Sequence, residues 1–179
     1  MNTPTATISV CATPESACLR ITGRATFQCS PDFRKAITDL AQAGRRAFSL
    51  DLEKCLSMDS TFLGVMIGLR NGRLIPNTPV TFGFIKPPQR ILDVLSSLGV
   101  ASLFHTEPGD GWSQGTFAPL SPPPEAKPQA NKVEMSRMCL EAHETLMAAN
   151  PANVPKFKDV TNLMKEELKK LEDEQKPQP

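Results

Sequence analysis

A mixed α/β fold is what this sequence predicts: a sheet of four to five strands with helices packed on it, followed by a C-terminal α-helical hairpin. Three observations carry the prediction. Over the first hundred residues, short apolar runs alternate with apolar stripes of period three and four. A stretch with six prolines and three glycines in 23 residues (107–129) then interrupts all periodicity. Two more amphipathic patterns follow, separated only by "NPAN".

Taken in order, "ISVCAT" (8–13) and "ACLRIT" (17–22) read as strands joined by a "PES" turn. That opening hairpin makes the sheet mixed. "SPDFRKAITDLAQAG" supplies a helix with its punctuation: Ser30 as cap, Pro31 in the first turn, Asp32 at the positive end and Gly44 as the stop. Phe33, Ile37, Leu40 and Ala41 form its apolar stripe. "AFSLDL" (47–52) is the next strand, and the helix from Phe62 to Leu69 is apolar on most sides. "PVTFGFI" (79–85) is another strand. "PPQRILDVLSSLG" runs as a helix from Pro88 to Gly99, and "ASLF" (101–104) is read as a last edge strand. Strands followed by helices that cross back imply parallel neighbours.

Residues 1–106 therefore form the α/β domain, 107–129 a semi-extended linker, and 130–179 the hairpin. Trp112, Phe117 and Leu120 are the linker residues expected to pin it to a surface. In the hairpin, Met135, Met138, Ala142, Leu146 and Ala149 recur at helical spacing, as do Phe157, Val160, Met164, Leu168 and Leu171. Three roles stay open for it: capping the domain's own sheet, self-association through Phe157 and Leu168, or contact with a partner.

Composition excludes several function classes. Lys plus Arg is 20 and Asp plus Glu is 19, so no global field argues for nucleic acid or an anionic membrane. The balance is uneven, with eleven basic against seven acidic residues up to 106 and nine against twelve beyond. Five cysteines, with no C-x-x-C, indicate neither a disulfide framework nor a metal site. Cys11, Cys18 and Cys55 read as small buried side chains. No leader opens the chain and no apolar run approaches the roughly 20 residues a bilayer needs, so membrane insertion is not expected. A reducing cytoplasm is the expected location.

The segment "SLDLEKCLSMDSTFLGVMIGL" carries the functional signal. It resembles the signature of STAS domains, above all bacterial anti-sigma factor antagonists. Asp51 and Leu52 match that family's strand end, Met58, Asp59, Ser60 and Thr61 its loop, and Leu63 and Gly64 its helix start. The order of elements is similar over roughly residues 5–106. The resemblance implies a STAS-like fold and a phosphorylation-switched protein–protein interaction module in bacterial transcription or stress signalling. Its partners would be an anti-sigma factor that is also a serine kinase, and a serine phosphatase that resets the modified form. Ser60 matches the phosphorylated position, with Thr61 as alternate acceptor or cap. Asp59 would orient the serine, and Asp51, Asp59 and Phe62 would line the partner-binding face. Phe62 stands where the family has glycine, either covering the helix start or projecting outward as an anchor.

The residues themselves admit blander readings. An acidic or hydroxyl residue at a helix start is most often a cap. A STAS scaffold that is never phosphorylated, assembled in a multiprotein or transporter-associated complex, is the alternative function that Phe62 favours. A hydrolase or small-molecule site using Asp51 and Asp59 is a further rival. The two histidines, His105 at the domain end and His143 on a solvated helix face, have no nucleophile beside them in sequence. Neither catalytic activity nor a cofactor is expected.

Overall fold

The computed structural model describes residues 6–120 and 131–174. Its elements are β1 (Thr7–Ala12), β2 (Ser16–Ala25), α1 (Ser30–Gln42), β3 (Ala47–Asp51), β4 (Cys55–Met58), α2 (Ser60–Arg70), β5 (Thr81–Ile85) and α3 (Gln89–Ser97). After these come β6 (His105–Glu107), β7 (Ala118–Pro119), α4 (Lys132–Ala149) and α5 (Val154–Glu174). The strands lie in the order β6-β5-β3-β2-β1-β7, with β4 paired off this path to β2. β2, β3, β5 and β6 are mutually parallel along that row, while β1 is antiparallel to β2.

The mixed sheet and the hairpin are those expected from the sequence; the strand number is larger. Seven strands form among the described residues because two very short ones join late. β4 pairs with the far half of β2, which is free to do so because β2 bends at Gly23. Gly23 has φ +98, a left-handed conformation natural to glycine, and the pairing register shifts immediately after it. The last parallel strand is also displaced. Residues 101–103 make a 3₁₀ turn, and the edge strand forms at His105–Glu107 instead of at "ASLF".

Each parallel crossover steps in the same direction along the sheet, so right-handed connections stack α1, α2 and α3 on one face. Phe33 of α1, Phe62 of α2, and Phe48 and Phe82 of the sheet meet there, with centroid spacings of 4.7 to 6.1 Å. One-sided layering leaves the opposite face bare, and the segment after β6 covers part of it. The Trp112 indole N–H donates to Ser49 Oγ at 3.2 Å, and the Arg20 guanidinium lies 3.9 Å above the Phe117 ring. β7 pairs with β1, and Leu120 N–H donates to Ile8 C=O at 2.9 Å. Residues 107–120 of the expected linker thus form a strap on this face, held through Trp112, Phe117 and the Leu120 amide. Residues 121–130 of the expected linker lie outside those described.

The hairpin forms a third layer on top of α2. Met138, Ala142 and Leu146 of α4 belong to the same buried cluster as the sheet and α2. Val133, Leu140 and Leu168 form a smaller cluster, with Met164 and Leu171 packed against it. The closest approach is between Gly64 and Ala142. A methyl carbon built on Gly64 falls 2.6 and 2.7 Å from the carbonyl carbon and Cα of Ala142, and closer still to its oxygen. Asn153, fully buried between the two hairpin helices, donates from Nδ2 to Leu98 C=O (2.9 Å) and Leu146 C=O (3.1 Å). The uneven charge of the two halves shows at the rim, where Arg34 pairs with Glu141 (3.5 Å) and Arg73 with Glu144 (4.0 Å). Both pairs are partly exposed and contribute little individually.

Gly64→Ala separates two opposing effects. Alanine gains about 1 kcal/mol of intrinsic helix stability over glycine. Forcing a methyl group against backbone costs roughly 1–3 kcal/mol, because a helix moves less readily than a side-chain tip. With the approach this close to backbone the clash outweighs the gain, and denaturant titration should show a net loss of up to about 2 kcal/mol. A stabilised variant would mean that α4 does not sit this close to α2 in solution.

Candidate functional site

The site lies where β4 hands over to α2. Asp59 is the N-cap, in extended conformation (φ −88, ψ 169), and both of its carboxylate oxygens accept a backbone N–H. Oδ1 accepts from Phe62 N–H and Oδ2 from Phe27 N–H, each at 2.8 Å. The first bond satisfies a donor that α2 leaves unpaired; the second ties the loop before α1 to the start of α2. Asp59 therefore has a capping role as well as a place beside the serine.

Ser60 is the first residue of α2 and is half-buried. Its Oγ lies 3.0 Å from His143 Nε2, on α4. The other ring nitrogen, Nδ1, is 2.7 Å from Cys139 C=O. A carbonyl only accepts, so Nδ1 carries a proton, and with one proton on the ring Nε2 is the acceptor for the Ser60 hydroxyl. The imidazole is 5% exposed and edge-on to Phe157 of α5, at 5.0 Å between centroids. His143 is thus not on a solvated face: it lies on the side of α4 that meets Ser60 of α2 and Phe157 of α5. Sequence reasoning missed this partner.

The remaining residues singled out by the sequence separate. Thr61 is 5% exposed and lies beneath α4, in hydrogen-bond contact with the Cys139 thiol. Burial raises the pKa of that thiol above the ordinary range, and the Thr61 bond offsets part of the rise. As alternate acceptor, Thr61 offers a covered hydroxyl. Phe62 is completely buried, 4.7 Å from the Phe33 ring, so it anchors the core instead of projecting toward a partner. The reason is steric. α2 is flanked by α1 and roofed by α4, which leaves position 62 facing inward.

Asp51 belongs to the other face of the sheet. Its Oδ2 pairs with Arg20 Nε at 2.8 Å, and Oδ1 accepts from Glu53 N–H at 3.2 Å. Asp51 and Asp59 thus make separate commitments, one to a guanidinium and one to two backbone amides. That arrangement gives no shared carboxylate pair for hydrolysis. Two exposed apolar residues lie on the segments that lead to the β4–α2 junction: Phe27 (41% exposed), whose amide holds Asp59, and Leu56 (46%) on β4.

The mixed sheet with helices layered on one face is a STAS-like fold. Among solved structures, the chain is similar to the anti-sigma factor antagonist SpoIIAA in its unphosphorylated form. The identity is 16%, the match covers 58% of this chain and 90% of that one, and the TM-score is 0.50. It is also similar to the protein TM1081 (19% identity, 55% of this chain and 78% of that one, TM-score 0.48). No family model and no curated protein matches the sequence. No helix among the described residues is long and apolar enough to cross a membrane.

Proposed function

We propose that this chain is a switch protein of the anti-sigma factor antagonist kind, a cytoplasmic binding module whose association with a partner is set by the state of Ser60. The observation that carries this reading is the placement of Ser60 at the rim of the domain, half-buried, in a Met-Asp-Ser-Thr sequence that opens α2. The fold likeness to an anti-sigma factor antagonist supports it. The proposed partners are an anti-sigma factor with serine kinase activity and a phosphatase for the modified form. Phe27 and Leu56 are the exposed apolar residues on which a partner would rest, in place of the Asp51 and Phe62 expected from the sequence.

A phosphoryl group brings about −1.5 to −2 charges to that rim. Asp59 sits beside it already negative, so an apolar or acidic docking surface is repelled without refolding of the domain. The Ser60–His143 bond also favours a second reading, an unphosphorylated scaffold whose serine only fastens the hairpin.

The two readings separate in a binding experiment with wild type, Ser60→Ala and Ser60→Asp as baits, retained proteins identified by mass spectrometry. The switch predicts a partner kept by alanine and released by aspartate, with affinity lower by about 10- to 100-fold, the cost of a like-charge contact of a few kcal/mol. A partner held equally by all three, together with no phosphate on Ser60 after incubation with that partner and ATP, selects the scaffold.

A further inference from the structure

We infer that Ser60 and His143 form a nucleophile–base pair, so that the C-terminal hairpin supplies the proton acceptor for modification of the serine. The inference rests on the proposed switch at Ser60 and names what activates it. A serine hydroxyl is a poor nucleophile unless a base takes its proton as it reacts, and that base acts only when held in one tautomer and one orientation. All three requirements are met in a single chain. Ser60 Oγ is 3.0 Å from Nε2. Cys139 C=O fixes the proton on Nδ1 at 2.7 Å. Phe157 of α5 packs edge-on against the ring, and His143 is 5% exposed to solvent.

Its place in the fold argues against a merely structural bond. The hairpin is already fastened by the Gly64–Ala142 contact, by Leu146 in the core and by Asn153 on the Leu98 carbonyl. The imidazole serves the less buried residue of the Ser60–Thr61 pair.

The chemistry balances with a nucleoside triphosphate held by the partner kinase. The bond from Oγ to the γ-phosphorus forms, the bond from that phosphorus to its bridging oxygen breaks, and the nucleoside diphosphate leaves. The hydroxyl proton passes to His143 Nε2. A small electrophile runs the same step without a kinase. With diisopropyl fluorophosphate, the Oγ–P bond forms, the P–F bond breaks, fluoride leaves and the proton again goes to Nε2.

That reagent provides the test. The folded full chain should be labelled at Ser60, located by peptide mass spectrometry, and Ser60→Ala should show no label there. His143→Gln keeps a side chain that can hydrogen-bond but removes the base, and should label at least about 100-fold more slowly, within the range for general-base assistance. Thermal unfolding of His143→Gln confirms that the variant is folded, and long-range ¹H–¹⁵N spectra of wild type should show His143 protonated at Nδ1. Labelling of Ser60 at equal rates in wild type and folded His143→Gln overturns the inference, as does a Ser60 that resists the reagent in the folded wild type. Either result leaves the Ser60→Asp binding experiment standing, so the pair and the switch fail independently.

Discussion

A chain ending at residue 130 is expected to lose cooperative unfolding and to bind a hydrophobic dye such as ANS. Every residue of α2 from Thr61 to Leu69 is buried. A helix buried on every side needs neighbours on every side. The sheet and α1 cover two of them, and α4 is the third. Removing the hairpin takes Leu146 (0% exposed) and Met138 (6%) out of the common core. Each is worth about 2–5 kcal/mol, measured as the cost of truncating such a side chain. A domain of this kind has about 5–15 kcal/mol of net stability in all. The two residues alone consume much of it, before Ala142 and the Asn153 bonds are counted. The measurement is thermal or urea unfolding followed by far-ultraviolet circular dichroism. A sharp transition and no dye binding in the shortened chain would show that the α/β part is self-sufficient.

Phe62→Ala is expected to destabilise the protein by about 3–5 kcal/mol, the usual cost of emptying a buried phenylalanine site. The side chain is fully buried and its ring packs 4.7 Å from Phe33, which in turn contacts Phe82. The void would open at the junction of α1, α2 and the sheet, where backbone elements cannot collapse into it. Urea denaturation measures the loss. Because Phe62 does not reach the surface, partner binding by the folded fraction should be unchanged. A variant that kept its stability and lost its partner would restore position 62 to the docking face.

Much of the α/β part was legible because its punctuation is local. Pro31 and Gly44 bracket α1, and Pro88 and Gly99 bracket α3, within a residue or two of the observed ends. Ser30 shows the limit of such reading. The N-cap is Cys29, and the Ser30 hydroxyl turns back to donate to Thr26 C=O at 3.1 Å. β4 and β7 were illegible because four and two residues are too few to show alternation. They exist by virtue of the strands beside them.

Asp59 and Ser60 were found from their sequence context, whereas His143 was not. It lies 83 residues from Ser60, and nothing local announces the pair. A signal was nonetheless present. Cys139, Ala142, His143 and Leu146 fall at i, i+3, i+4 and i+7, one face of a helix, and placing His143 on that stripe turns it inward. The all-round apolarity of α2 was the complementary sign, since a helix in a single layer over a sheet keeps an outer side that something else must cover.

The strap on the reverse side of the sheet has a practical outcome. Trp112 is the sole tryptophan in the chain, and its indole is tethered to Ser49. Ultraviolet-excited emission consequently watches only that side, separated from the hairpin by the whole thickness of the sheet. Detachment of α4 and α5 would pass unseen in this signal until the sheet itself came apart, so a histidine or methyl resonance is the better sentinel for the roof.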